Sequence, residues 1–445
     1  MIGRSGELEV RAAGAAPAGS TRRGFGFRWT ILALLFFATT INYVDRQVLG
    51  ILAPTLTREL NWSESDYGAI VSWFSIAYGI GLLVMGRLMD RIGVRRGYTF
   101  AISAWSLAAA AHALVRTVTG FSVARAFLGA GESANFPAAV KAVAEWFPKK
   151  ERALATGIFN AGTNVGVVVA AATVPWIALT LGWRWAFIIT GVLGLVWIPV
   201  WLVLYRDPSV HPKVSPAELD HISSDPPDPP VEIPWRRLLA HRPTWAFVIG
   251  KAMTDPVWMF YLFWLPKFLD ENWNVQLSGL ALPLIVIYVA ADVGSVTGGW
   301  VSSALIKRGW SVNRGRKTAM LLSAVVIVPT MLAPVAQSMW VAVAVVSVAA
   351  SAHQGWSANL FTTVSDTFPR RAVASVIGIG GFAGMFAAFL FQRFTGNLLD
   401  ATQGNYGPIF VVLALAYVTA LLVMHLLVPR MEPVELDESG RSTDR

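Results

Sequence analysis

Two neighbouring charged residues lie inside the first long apolar stretch of this sequence. Asp45 and Arg46 follow an uncharged run from Trp29 to Ile41, and apolar residues resume at Val48. A charge at the centre of a membrane span costs at least about 2.5–3.5 kcal/mol, so it persists mainly where it faces a cavity or a partner. We interpret the pair as functional. The alternative is a position just beyond the membrane edge, and the continuing apolar run argues against it.

A second charged pair lies in a later apolar stretch. Arg125 and Glu132 are seven residues apart, which places them on nearly the same face of a helix. Pro137 can kink this helix because it removes a backbone hydrogen bond. Burial favours the protonated form of a carboxyl group and a nearby arginine favours the ionised form, so Glu132 is a candidate proton carrier. The alternative is a structural ion pair that ties two spans together.

The composition indicates which elements must position these charges. Of the 445 residues, 55% are hydrophobic and 14% are charged, whereas soluble domains carry roughly 25% charged residues. Apolar runs of about 20 residues recur along the chain, and that length crosses a bilayer as a helix. The sequence therefore predicts an all-α integral membrane protein. We place twelve spans at roughly 28–53, 66–86, 98–115, 118–141, 152–177, 184–205, 243–265, 278–304, 318–335, 339–365, 372–396 and 407–428.

Basic residues are concentrated in alternate connections between these spans. The N-terminus, the central loop and the even-numbered connections are rich in Lys and Arg, and the odd-numbered connections carry few. The positive-inside rule then places both termini in the cytoplasm, which agrees with an even number of spans. The net charge of +9 is explained by these loops, so we expect a lipid bilayer and no nucleic acid as a partner.

A proline-rich segment divides the chain into two similar halves. Eight prolines lie between Arg206 and Arg242, which predicts a linker that does not cross the membrane. The Phe-Pro-Lys-Lys motif at 147–150 is echoed by Phe-Pro-Arg-Arg at 368–371, and such repeats are typical of transporters with a site between the halves. The predicted divisions are a disordered N-terminus at 1–27, a six-helix half at 28–205, a linker at 206–242, a second six-helix half at 243–428 and a tail at 429–445.

The connection between the second and third spans carries a Gly-x-x-x-Asp-Arg-x-Gly frame. Gly86 and Gly93 permit close backbone approach and a tight turn, and Arg91 lies at the lipid headgroups. Asp90 can face a helix N-terminus or an arginine and so hold the cytoplasmic side closed. This frame resembles the signature loop of the major facilitator superfamily. A copy begins at Gly299 in the second half, where a serine replaces the acid, so we expect a weaker latch there.

Asn42-Tyr43-x-Asp45-Arg46, together with the pattern at 125–137, resembles the anion:cation symporter family of that superfamily. The resemblance runs from about residue 28 to 428 and is closest to the sugar-acid branch, which includes hexuronate and galactonate carriers. It implies a major facilitator fold of twelve helices that alternates access to a central site. It also implies roles for individual residues. Arg46 holds the substrate carboxylate beside Tyr43 and Tyr78, Asp45 and Glu132 couple protons with Arg125 as the partner of Glu132, Thr163 and Asn164 contact the sugar, and His353, Gln354 and Trp356 face the cavity.

The resemblance thus predicts a proton-coupled symporter that imports a sugar acid. The segment Gly378–Phe382 lacks an asparagine that galactonate carriers use, which favours a hexuronate such as glucuronate or galacturonate. The alternatives are galactonate, a tartrate-like dicarboxylate or a phthalate-type acid. A drug/proton antiporter is less favoured, because the fifth span lacks a Gly-Pro-x-x-Gly-Gly arrangement. A membrane enzyme is disfavoured, because no nucleophile–base pair, metal-ligand spacing or nucleotide loop is found.

Several further expectations follow. We expect no cofactor other than the coupled proton and no metal site, since His112 has no second ligand at metal spacing. We expect a monomer in a bacterial inner membrane. His353 could equally be a packing residue. Asp255 and Asp292 are better explained by structural pairing than by proton transfer, with Lys251 as the partner of Asp255 four positions away.

Overall fold

The computed structural model describes residues 26–225 and 234–434. Most of the predicted disordered N-terminus, the centre of the linker and the end of the tail lie outside these ranges. The part of the chain that is described contains helices and no strand. Its spans are span 1 (Arg28–Leu60), span 2 (Glu64–Ile92), span 3 (Val94–Ala111, continued by His112–Leu114), span 4 (Val118–Glu132 and Asn135–Trp146), span 5 (Lys149–Leu181), span 6 (Trp183–Leu204), span 7 (Arg242–Phe263 and Leu265–Trp273), span 8 (Ala281–Lys307), span 9 (Val312–Ile327, continued by Val328–Val335), span 10 (Met339–Thr367), span 11 (Arg370–Ala401) and span 12 (Gly407–Leu427).

By length and composition alone, seven helical stretches among the described residues are long and apolar enough to cross a membrane. They are spans 2, 5, 6, 8, 9, 11 and 12. Span 1 contains Asp45 and Arg46, and spans 4 and 7 are each divided into two segments. Large apolar side chains on the outside of the bundle, such as Phe127 at 67% exposure, form a surface suited to lipid.

Two spans differ from the predicted bounds for local reasons. Span 1 continues past Pro54 to Leu60, and it ends at Asn61, whose φ of 53° is left-handed. Pro54 removes one donor from the helix without ending it, as neighbouring groups in a membrane bundle can compensate for the loss. Span 4 breaks after Glu132, and Pro137 falls in the first turn of its second segment, where a proline is tolerated. The predicted kink is therefore a full break next to the key acid.

Spans 1–6 and spans 7–12 form two helical halves that meet along three pairs of helices. Span 2 packs against span 11, span 5 against span 8, and span 1 against span 7. The approach of spans 2 and 11 depends on Gly68, because a Cβ there would lie 2.6 Å from the carbonyl oxygen of Gln392. These contacts leave residues of spans 1, 2, 4, 5, 7 and 8 facing the region between the halves.

The described part of the linker is docked on the first half rather than extended. It contains the short helices Pro216–Ile222 and Trp235–Leu238. The carboxylate of Glu218 accepts hydrogen bonds from the backbone N–H groups of Phe27 and Arg28, each at 3.0 Å. The linker therefore satisfies donors at the start of span 1, which a helix N-terminus would otherwise leave without partners.

Candidate substrate site and its gates

The guanidinium of Arg46 lies at the middle of span 1 inside a cage of aromatic rings. Its Cζ is 4.3 Å from the ring centroid of Tyr43, 4.8 Å from that of Tyr78 and 5.1 Å from that of Phe74. The side chain is 2% exposed. Ring faces attract a cation, and the attraction grows when water is excluded. The fold thus brings Tyr43, Arg46 and Tyr78 together, as the resemblance implies.

Arg46 is paired with a buried acid from a different helix. Its Nε donates to Oε2 of Glu132 at 2.8 Å, and its Nη2 donates to Oδ1 of Asn42 at 3.4 Å. The Glu132 side chain is fully buried, and its Oε1 has no hydrogen-bond partner in the described ranges. A buried charge is stable only while paired. If Glu132 is to leave Arg46, another anion must therefore pair with the arginine, and the acid must take up a proton.

Arg125 does not pair with Glu132, so the predicted partnership is wrong for this conformation. Both terminal nitrogens of Arg125 donate to the carbonyl oxygen of Arg46 at 3.4 Å, and the guanidinium lies 5.0 Å from the rings of Phe74 and Phe263. The spacing of 125 and 132 places both on one helix face, but it does not reveal that span 1 supplies a closer cation. Arg125 instead fixes the backbone of span 1 at the cage and reaches span 7 of the other half.

Asp45 is buried beside the cage and faces the interior of the first half. It is 1% exposed and lies near the hydroxyl of Thr190 in span 6. Neither of its carboxylate oxygens makes a hydrogen bond within 3.5 Å to any residue that the structure describes. A buried polar group without a partner is rare and calls for an explanation. A carboxyl group that is protonated during part of the working cycle is such an explanation.

Span 5 brings the predicted sugar contacts next to the cage. A Cβ at Gly166 would lie 2.8 Å from Cβ of Tyr43, so the two helices touch at that level. Near this contact, the Thr163 hydroxyl donates to Oδ1 of Asn164 at 3.4 Å. The Asn164 amide in turn donates to Oδ1 of Asp292 in span 8. The two halves are therefore hydrogen-bonded to each other close to the aromatic cage.

Span 10 does not present its three predicted residues to the cavity. His353 stacks on Trp258 with centroids 5.0 Å apart, and its Nδ1 lies 2.5 Å from the hydroxyl of Tyr417 in span 12. Trp356 has no exposed surface and packs edge-on against the same Tyr417. Gln354 is half-buried. The prediction is wrong for His353 and Trp356. Successive helical residues turn by about 100°, so His353, Gln354 and Trp356 cannot all face the cavity.

The second half has its own buried ion pair. Nζ of Lys251 lies 2.8 Å from Oδ1 of Asp255, four residues further along span 7. This confirms the predicted pairing of these two residues. Both side chains are about one-tenth exposed, and the ammonium lies 4.7 Å from the ring of Phe361.

The halves are joined by ion pairs at their outer ends, opposite the cytoplasmic termini. Arg58 lies 2.6 Å from Asp270, and Lys267 lies 2.7 Å from Glu64. Asp400 also accepts hydrogen bonds from the backbone at the start of span 2. We call these contacts the outer latch. Among the described residues, every ion pair that joins the two halves belongs to it, so this conformation is closed at the outer ends of the spans.

The cytoplasmic signature loop is latched within one half. Asp90 pairs with Lys141 of span 4 at 2.8 Å, rather than with an arginine or a helix end as predicted. Gly93 has a φ of +77° and ends span 2, which confirms the expected tight turn, and Arg91 is exposed. Gly86 has no atom within 4 Å of a built Cβ, so close approach is not its role in this conformation.

The corresponding loop of the second half is also latched. Nε of Arg316 lies 2.9 Å from Oδ2 of Asp366 in span 10, and its Nη1 donates to Ser302 at 2.9 Å. The expectation of a weaker latch assumed that no acid was available to this loop. That assumption is wrong, because a different helix supplies the acid that the loop lacks.

The sequence reasoning missed two neighbours of the charged cluster. Phe74 contacts both Arg46 and Arg125, and Thr190 lies beside Asp45. Phe74 could have been found, since it lies four residues before Tyr78 on the same face of span 2. Thr190 carries no such signal.

These features define a multi-span membrane protein of two helical halves, with a buried, caged arginine–glutamate pair in the first half and ion pairs that join the halves at their outer ends. The chain matches the model of the Major Facilitator Superfamily over residues 35–392. The hexuronate transporter of Escherichia coli (strain K12) is 31% identical over 418 residues, which is 92% of this chain and 96% of that protein. The galacturonate transporter of Dickeya chrysanthemi is 32% identical over 310 residues, 68% of this chain and 90% of that protein.

A solved structure supports the same fold. The crystal structure of a D-xylose-proton symporter superimposes with a TM-score of 0.71 at 16% identity and covers 91% of this chain and 99% of that one. The chain belongs to the Major Facilitator Superfamily, in the branch that holds the sugar-acid transporters. It is a multi-pass membrane transporter rather than an enzyme, as the sequence predicts.

Proposed function

We propose that this protein is a proton-coupled symporter that imports a sugar-acid anion, most specifically a hexuronate such as glucuronate or galacturonate. The observation that carries the proposal is the buried Arg46, enclosed by three aromatic rings and held by the exchangeable acid Glu132. The similarity to a hexuronate and a galacturonate transporter over most of the chain supports the substrate class.

The geometry suggests how anion and proton are exchanged. In the outward-facing state, protonated Asp45 and Glu132 leave Arg46 available. The substrate carboxylate then binds the guanidinium through two parallel hydrogen bonds, a geometry that lysine cannot reproduce. The rings of Tyr43 and Tyr78 cover the sugar. The charge of the anion is thereby compensated while water is excluded.

Release into the cytoplasm reverses this exchange. When the site opens inward, Glu132 and Asp45 lose their protons to the more alkaline interior. Glu132 then pairs with Arg46 again, and the anion leaves. The Arg46–Glu132 pair at 2.8 Å is the arrangement that this scheme assigns to the end of the cycle. No cofactor other than the proton is required in this scheme.

The setting that fits this activity is a bacterial inner membrane, where a proton gradient drives uptake, with the monomer as the working unit. The relatives named above come from bacteria. The remaining candidates are galactonate, a tartrate-like dicarboxylate or an aromatic acid at the same arginine.

The experiment is uptake of labelled glucuronate and galacturonate into vesicles that contain the purified protein, with and without an inward proton gradient. We expect accumulation that requires the gradient and is lost in Arg46→Ala. Uptake of neither compound by folded protein would reject the hexuronate assignment. Uptake that ignores the gradient would reject proton coupling.

A further inference from the structure

One acidic side chain of the second half faces the first half at the level of the aromatic cage. Asp292 lies one helical turn after Tyr288 on span 8. The Tyr288 hydroxyl lies 3.2 Å from Nε2 of Gln47 in span 1, and the Asp292 carboxylate accepts a hydrogen bond from Asn164 in span 5. This face of span 8 is thus directed at span 1, which carries Arg46 and Tyr43, and at span 5, which packs against span 1.

Two contacts bring Asp292 towards the helices around Arg46. Gln47, which anchors Tyr288, directly follows Arg46 in span 1. Asn164 lies two residues before Gly166, which touches Tyr43 of the cage, and is turned by about 200° from that contact, towards span 8. Arg46 supplies donors from the first half, and Asp292 supplies acceptors from the second.

The Asp292 carboxylate is accessible and lacks a cation. The residue is half-buried, and no Lys, Arg or His nitrogen lies within 4 Å of its oxygens in the ranges that the structure covers. Its hydrogen-bond partner there is the neutral amide of Asn164. An ionised carboxylate only accepts hydrogen bonds, so hydroxyl groups can replace an amide donor, whereas a second carboxylate would be repelled.

We infer that Asp292 binds the hydroxyl groups at the end of the substrate opposite its carboxylate, and that it thereby restricts transport to sugar acids with one carboxylate and rejects sugar diacids. This inference rests on the proposed function and specifies its substrate class. Specificity is a difference between two affinities, and an unpaired like charge lowers the affinity for the wrong partner. Asn164 occupies the carboxylate when no substrate is bound.

The test compares two ligands that differ at one end of the molecule. Glucuronate carries one carboxylate, and glucarate carries a second in place of the aldehyde carbon. Purified full-length protein in vesicles exchanges labelled glucuronate by counterflow, and unlabelled glucuronate or glucarate competes. For the wild type we expect glucarate to compete at least about tenfold more weakly, as expected for a desolvated like-charge contact.

The variant Asp292→Asn keeps the size of the side chain and removes its charge. We expect the preference for glucuronate over glucarate to fall about tenfold, because glucarate gains while glucuronate loses an ionised acceptor. Asp255→Asn is the matched control, since it makes the same change to a paired acid of the same half. Its ligand preference should stay at the wild-type value.

Two results would overturn the inference. One is equal competition by the two ligands in the wild type, and the other is an unchanged preference in folded Asp292→Asn. If that unchanged preference comes with lost proton-driven accumulation, Asp292 is a proton carrier instead.

If the wild type shows no glucuronate counterflow, the hexuronate assignment fails but Asp292 can still be tested. Galactonate and galactarate then replace the first pair, with ligand-induced thermal stabilisation as the measurement. A monoacid preference that Asp292→Asn removes would support the inference, and its absence would reject it.

Discussion

Each half of the molecule buries an ion pair in the membrane, but the two pairs are built differently. Arg46 and Glu132 belong to different helices and are 86 residues apart in the chain. Lys251 and Asp255 lie one turn apart on span 7. A pair within one helix moves as a unit when the helix moves. A pair between helices can lengthen, open and exchange partners.

The surroundings of Arg46 and Lys251 also differ. Arg46 is enclosed by three aromatic rings, whereas both acids, Glu132 and Asp255, have one carboxylate oxygen without a partner in the described chain. Lys251 contacts one ring, and the nearby His353 is engaged by Tyr417. In the proposed mechanism, anion and proton are exchanged in the first half. The second half supplies a scaffold and, through Asp292, the opposite wall of the site.

The largest expected effect comes from Arg46→Lys. The ammonium keeps the charge but not the two parallel donors, so we expect glucuronate uptake to fall at least about 100-fold. Uptake into vesicles measures it, and size-exclusion chromatography verifies that the variant is folded. Near-normal uptake would show that charge alone holds the anion.

Glu132→Gln should separate exchange from accumulation. Glutamine resembles the protonated acid, so we expect glucuronate counterflow within about threefold of wild type and no accumulation driven by the proton gradient. Asp366→Asn is the control for loss of a single carboxylate, because it alters an acid of the cytoplasmic latch of the second half. Accumulation at the wild-type level in Glu132→Gln would remove this acid from coupling.

Weakening the outer latch should shift the protein away from the conformation that is closed at the outer ends. Lys267→Met removes a cation that holds Glu64 across the halves. The sequence contains no cysteine, so Gly157→Cys provides a single reporter on the exposed, open cytoplasmic part of span 5. We expect maleimide labelling of that cysteine to slow by about two- to fivefold when Lys267→Met is added, as for a modest population shift. Unchanged labelling would show that the latch does not set the conformation.

The smallest functional effect should come from the pair in the second half. Removing one partner of a buried pair leaves an uncompensated charge, whereas removing both does not. We expect Lys251→Met combined with Asp255→Asn to have a higher melting temperature than either single variant, with uptake within about threefold of wild type. A double variant that abolishes uptake would contradict the division of roles between the halves.

The sequence predicted the membrane class, the two halves and the cluster around Arg46. These features depend on long apolar runs, a duplicated motif and charges that are too costly to bury without a purpose. The sequence did not predict which cation pairs with Glu132, since helix spacing says which residues share a face but not which helix lies opposite. The same limit applies to Asp366, the acid that latches the second signature loop.

The tenth span illustrates a different limit. His353 and Trp356 are polar or aromatic residues in a helix near the site, and only the family resemblance predicted that they face the cavity. Helical geometry turns them towards Tyr417 instead. Asp292 was weighed as a structural pair or a proton site and not as a substrate contact, because nothing in its sequence neighbourhood shows that span 5 of the other half supplies Asn164.

In the proposed mechanism, the substrate anion and Glu132 compete for Arg46. The number of protons taken up or released on binding tests this competition. Glucuronate is added to purified protein in weakly buffered detergent solution, and a pH-sensitive dye reports proton uptake or release. Competition for Arg46 predicts proton uptake on binding, because the displaced Glu132 must be neutralised, and a smaller uptake in Glu132→Gln, where Asp45 is the remaining proton-coupling acid. Saturable glucuronate binding without proton uptake in the wild type would contradict it.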